Sequence, residues 1–204
     1  MSGGAGGWRA ALVTLAAGLL LAAPELVLSG AEAGFWGAPG WRLAAIRLGA
    51  FWPGLLSGAR AVFPGQPVAM FLSYGLIHDG PLHLSINLGG LALLMPRLVA
   101  RSGAGRACAI LVAGLVGGSL AYLLLGDGAA PMIGASGGIF ALAGALLARS
   151  GQRRPLGLIV IALALALEID AAADLAWQAH LGGFAAGWLL GRGREPGPPR
   201  RRAP

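Results

Sequence analysis

The chain has 204 residues, 56% of them hydrophobic and only 11% charged, and carries a net charge of +7. A soluble domain of this length does not have that composition or a mean hydropathy of +0.73, so an all-α, polytopic membrane protein is expected. The fifteen basic residues are all arginine and fall in short clusters between long apolar runs. That pattern excludes nucleic-acid binding, which needs a basic face on a folded domain.

Residues 1–9 read as a short cytoplasmic N-terminus ahead of a first span at 10–28, which Pro24 is expected to interrupt. A cleaved signal peptide is the rival reading of this run, since Arg9 precedes an apolar core. Residues 29–66 form a long first loop rich in aromatics, among them Phe35, Trp36, Trp41, Phe51, Trp52 and Phe63. Such rings favour headgroup level. Within the loop, Arg42 and Arg47 alternate with Leu43, Ile46 and Leu48, the pattern of a helix lying in the interface over 41–52.

Five further spans follow at 82–98, 107–125, 136–148, 156–169 and 177–190, making 10–191 one six-helix membrane domain. Several are short and glycine-rich. Gly183, Gly187 and Gly191 recur every four residues, as small residues do where helix backbones approach closely. Cys108 stands in an apolar stretch with no partner, which rules out a disulfide framework or a cysteine-built metal cage. Residues 192–204, with Arg200, Arg201 and Arg202 among prolines, are expected to form a basic disordered tail.

Six crossings place most of the arginines on one face and nearly all the acids on the other. The positive-inside rule makes the arginine face cytoplasmic, with both termini there. The exceptions, Arg42, Arg47 and Arg60, all lie in the first loop. Exclusive use of arginine with abundant alanine and glycine suggests a GC-rich bacterial genome, and hence the bacterial inner membrane.

Polar groups inside such a bundle are costly and mark function. His83 and Asn87 are one helical turn apart on one face of the second span. Ser136 begins the fourth span after a glycine-broken loop, and His180 stands near the start of the sixth. Counted back from the arginines at the cytoplasmic ends, all four lie ~15 to ~21 Å above them at ~1.5 Å per residue. They therefore share one level, about 10 Å below the outer surface of a ~30 Å core. A serine and a histidine at one depth suit nucleophilic catalysis, with the imidazole as base. No third carboxylate stands at that level, so a dyad is expected. The amide of Asn87, the ring of His83 and the backbone N–H of Ser136 are suited to an oxyanion. Metal binding through His78, His83 and His180 is the weaker alternative, since no cysteine or intramembrane carboxylate joins them and Ser136 would be left unexplained. Ser85 and Ser119 read as satisfied by carbonyls of their own helices.

The spacing of His78, His83 and Asn87, the Gly134-Ala135-Ser136-Gly137 string, and His180 with Gly183 and Gly187 resemble the rhomboid intramembrane serine proteases. The resemblance covers roughly residues 60–191 in family order. It implies a minimal six-helix rhomboid-like bundle with Ser136 as nucleophile, His180 as base, and His83 and Asn87 at the oxyanion site. His78, Gly134 and Gly137 would support the site, and Gly183 and Gly187 would pack helices. It further implies no cofactor and no metal, a cavity opening outward, and single-pass transmembrane proteins as substrates entering from the bilayer. A catalytically silent relative that binds transmembrane clients is the alternative. Many rhomboids carry a tryptophan-arginine pair shortly before the first motif histidine, where this chain has Gln66-Pro67-Val68-Ala69. Trp41-Arg42 lies too far upstream to align there without a large insertion.

Overall fold

A computed structural model describes residues 3–126, 128, 130–150 and 176–192. Among these residues lie seven α-helices: α1 (Gly3–Glu32), α2 (Trp41–Gly49), α3 (Gln66–Ser73), α4 (Gly80–Ser102), α5 (Ala104–Leu125), α6 (Ser136–Ser150) and α7 (Trp177–Gly191). The chain is all-α, as its composition requires. Five of the six expected spans are helices, each beginning or ending a few residues beyond the apolar run that announced it. The fifth, at 156–169, and the tail beyond Arg192 lie outside the described residues.

Among the described residues, three segments are long and apolar enough to cross a bilayer: Gly6–Glu32, Gly80–Ser102 and Ala104–Leu125. Pro24 does not interrupt α1, contrary to the sequence expectation, and Pro96 likewise sits inside α4. Breaking a helix in hydrocarbon would free several backbone groups, whereas a proline removes one hydrogen bond, so the helix continues. Leucines such as Leu12, Leu15 and Leu19 of α1 are exposed. In a membrane that surface meets lipid and needs no protein cover.

The helix expected at 41–52 is shorter, because Ala50 turns extended and Phe51 pairs with the loop before α6. α3 and the 3-10 turn Tyr74–Leu76 after it were not expected, being too short to show a periodic signal. Gln66 clasps this region. Buried at the head of α3, it accepts from Val62 N–H through Oε1 at 2.7 Å and donates from Nε2 to the Arg47 carbonyl at 2.6 Å. Ser85 and Ser119 donate to the carbonyls of Pro81 and Val116 within their own helices, as expected.

Two apolar clusters organise the interior. Leu84, Leu91, Met95 and Leu98 of α4 pack with Ile110 of α5 and Leu142 of α6. Phe51, Met70, Tyr74, Tyr122 and Met132 form a second cluster under the first loop. Along one row α6 and α7 meet with no side chain between them. A Cβ on Gly183 would lie 2.0 Å from the Gly137 carbonyl oxygen, one on Gly187 would lie 1.9 Å from that of Ala141, and one on Gly191 would lie 2.7 Å from Ala145 Cα. The four-residue glycine period therefore meets a four-residue row on α6, backbone to backbone. This contact sets the register that brings the start of α7 beside the start of α6.

Candidate active site

Ser136 opens α6 and His180 lies in the first turn of α7. The glycine-to-backbone contact one turn further along places them opposite each other, and His180 Nε2 stands 2.9 Å from Ser136 Oγ. Phe140, one turn after Ser136 on the same face of α6, stacks on the imidazole with centroids 4.4 Å apart and planes 13° apart. The ring is thus held from below by Phe140 and pinned at one edge by the serine. His180 is buried while Ser136 remains partly open, so a substrate can reach the oxygen but water barely reaches the base.

The loop entering α6 is fixed at three points. Tyr122 Oη donates to the Ala130 carbonyl at 3.0 Å. Phe51 and Met132 exchange backbone hydrogen bonds of 2.9 and 2.8 Å, and Gly134 N–H donates to the Tyr74 carbonyl at 3.0 Å. Gly134 adopts φ +110°, and a Cβ there would come within 2.7 Å of His83 Nε2. Both facts require glycine. The close approach sets the edge of the His83 ring beside the backbone leading into Ser136. Gly137 is also closely faced, a Cβ there lying 3.1 Å from the Tyr74 hydroxyl and 3.2 Å from the Gly114 carbonyl. That hydroxyl is buried and donates to the Leu115 carbonyl at 2.8 Å. Burial pushes its pKa above that of an ordinary phenol.

Asn87 is buried one turn below His83 and donates from Nδ2 to the His83 carbonyl at 2.9 Å. Its amide nitrogen carries a second N–H. Ser136 heads its helix, so its own N–H has no helical acceptor. The structure therefore brings Ser136, His180, His83, Gly134 and Gly137 together, and holds Asn87 against the His83 carbonyl one turn along α4. Among the described residues no three His, Cys, Asp or Glu side chains converge as metal ligands.

His78 packs edge-on against His83, their centroids 5.2 Å apart. It is fully buried, and among the described residues neither ring nitrogen has a hydrogen-bond partner. Burial, reinforced by His83, lowers its pKa to about 4. The folded value lies below the unfolded one near 6.5, so between these values the unfolded chain binds the extra proton. Stability is then full above pH ~6.5 and falls, by up to about 3 kcal/mol, as pH drops toward 4. His78→Leu should match the parent in melting temperature at pH 7.5 and lose less of it at pH 4.5. An identical acid shift in both proteins would contradict this origin.

Phe140, Tyr74, Phe51 and Arg42 are parts of the site that the sequence reading did not assign to it. Phe140 alone had a usable signal, its four-residue step from Ser136. Arg42 lies far upstream of the first motif histidine in sequence. Folding brings its guanidinium to the carbonyl of His78.

Residues 65–194, more than half of the chain, match the Rhomboid domain family. A search of curated proteins finds no match to the chain. Apolar helices and the family match together make it a multi-pass membrane protein.

Proposed function

The chain belongs to the rhomboid family, and we propose that it is a serine endopeptidase that cuts transmembrane segments inside the bilayer with a Ser136–His180 dyad. The observation that carries this reading is the 2.9 Å approach of His180 Nε2 to Ser136 Oγ, in a ring clamped by Phe140. Neutral His180 takes the hydroxyl proton as Ser136 Oγ attacks the scissile carbonyl carbon. The negative charge that develops on the carbonyl oxygen meets N–H donors from His83 Nε2, Asn87 Nδ2 and the Ser136 backbone. His180 then protonates the leaving amine, and the C–N bond breaks to leave an acyl-serine. Water, deprotonated by His180, attacks that ester and restores the hydroxyl. These steps call for no cofactor and no metal.

The partners follow from the setting. A substrate is a single-pass protein whose helix must unwind at the cut, because a helical backbone holds its carbonyls in hydrogen bonds. Small or helix-breaking residues at and beyond the cleavage point are therefore preferred. The arginine distribution supports a topology with both termini in the cytoplasm and the site open to the periplasmic side of a bacterial inner membrane.

The test is the purified full chain in detergent, given a single-pass reporter and, separately, a fluorophosphonate. Cleaved reporter and an adduct on Ser136 are expected. Reporter that binds without product, together with an unlabelled Ser136, would overturn the proposal in favour of a silent client-binding relative.

A further inference from the structure

Glu25, Ser29 and Glu32 lie along one face of α1 and converge on a single side chain, Arg42 of α2. Its guanidinium bonds both oxygens of Glu25, each at 2.8 Å, and both oxygens of Glu32, at 2.7 and 2.8 Å. Ser29 Oγ lies 3.3 Å from Nη2. Glu25 is 1% exposed and the Arg42 side chain 12%. A pair this buried is tolerated only when its hydrogen bonds are complete. Two carboxylates would already satisfy the cation, yet Nη1 also donates to the carbonyl of His78, 36 residues away in sequence and outside either helix.

That carbonyl belongs to the peptide unit joining His78 to Asp79. The N–H of the same unit, Asp79 N, points at Nδ1 of His83 at 3.3 Å. Carbonyl and N–H of one peptide are conjugated, so a cation on the oxygen strengthens the N–H as a donor. A donor facing Nδ1 makes that nitrogen the acceptor, and a neutral imidazole then carries its proton on Nε2. Nε2 is the atom that lies against Gly134, beside the entry to Ser136. At 3.3 Å the bond to Nδ1 is at the long end of the range, so the preference depends on that strengthening.

We propose that Arg42 is a positioning residue that, through the His78–Asp79 peptide, holds His83 in the tautomer whose Nε2–H faces the oxyanion site. The inference rests on the proteolytic reading for its consequence, but the tautomer itself can be observed without any substrate. Loss of the relay leaves the dyad in place and removes the proton that His83 offers the transition state. The effect therefore falls on kcat and leaves KM nearly unchanged.

The chain has three histidines, so 15N-histidine spectra of the full protein in detergent resolve them, with a His83→Gln spectrum to assign the signal. The parent should show an acceptor-type Nδ1 at His83. Arg42→Met combined with Glu25→Gln removes the cation without stranding the buried carboxylate facing it. It should show His83 with mixed protonation and a kcat lowered about 10- to 100-fold, the range for residues that orient a reacting group. Arg47→Met, on the exposed side of the same helix, should leave both readouts at parent values. If the double variant fails to fold, Arg42→Lys keeps a cation beside Glu25 but lacks the planar fork that bonds two carboxylates and the His78 carbonyl together, and the same tautomer change is expected. An unchanged His83 signal in the folded variant overturns the proposal, whatever happens to kcat. If the parent cleaves no reporter, the proteolytic reading fails and the His83 signal still decides the relay.

Discussion

Ser136→Ala and His180→Ala should each lower kcat/KM for reporter cleavage by at least about 10⁴-fold, and combining them should lower it no further. On the proposed mechanism the hydroxyl and the imidazole, 2.9 Å apart, act as one unit: without the base the hydroxyl is a weak nucleophile, and without the hydroxyl the base has nothing to deprotonate. A loss of 10⁴ corresponds to about 5.5 kcal/mol of transition-state stabilisation. That is far more than the roughly 1 kcal/mol an ordinary hydrogen bond contributes to stability, so Ser136→Ala should melt within a few degrees of the parent. His180→Ala should melt lower, because it removes the ring stacked on Phe140. The measurements are initial rates on a single-pass reporter in detergent, with thermal melts of all four proteins. A Ser136→Ala variant that still cuts removes the serine from the chemistry. A double variant much slower than either single one would show that the two side chains contribute independently.

The features legible in the sequence are those with a local period or a local cost. His83 and Asn87 are found by their one-turn step, and Gly183, Gly187 and Gly191 by their spacing. Ser136 is found by the glycine-broken loop that precedes it. A polar side chain in an apolar run stands out because it needs a reason to be there. The supports of the site carry no such mark. Phe140 is one more apolar residue in an apolar helix. The pairing of Phe51 with Met132 joins single residues from two loops, and no alternation announces it. Arg42 was an exception in the charge pattern, and its position far from His78 in sequence concealed what it touches. Its partner Glu25 lies inside α1, which runs unbroken through Pro24 as far as Glu32.

The α6–α7 contact gives the second large effect. Gly183→Ala should lower the melting temperature by the equivalent of about 1–3 kcal/mol and reduce kcat about 100-fold or more. The added methyl group would sit 2.0 Å from the Gly137 carbonyl oxygen, a backbone atom that cannot swing aside. The helices must therefore separate by more than an ångström. Gly137 follows Ser136 and Gly183 is one turn from His180, so the wedge opens directly beneath the dyad. A misplacement of about 1 Å there costs on the order of 10²-fold in rate. Gly187→Ala meets an equally close obstacle, the Ala141 carbonyl at 1.9 Å, but one turn further from the reacting atoms. It should match Gly183→Ala in lost stability and retain more activity, because helices pried apart at Gly187 can still converge at their catalytic ends. Gly89→Ala is the control: a Cβ there meets nothing within 4 Å, and both readouts should stay at parent values. Melts in detergent and initial rates of the three variants separate the two roles of the glycine row. If Gly183→Ala behaves like Gly89→Ala, the α6–α7 contact does not set the distance between Ser136 and His180. If Gly187→Ala loses as much activity as Gly183→Ala, the helix pair moves as a rigid unit and the row acts on the dyad as a whole.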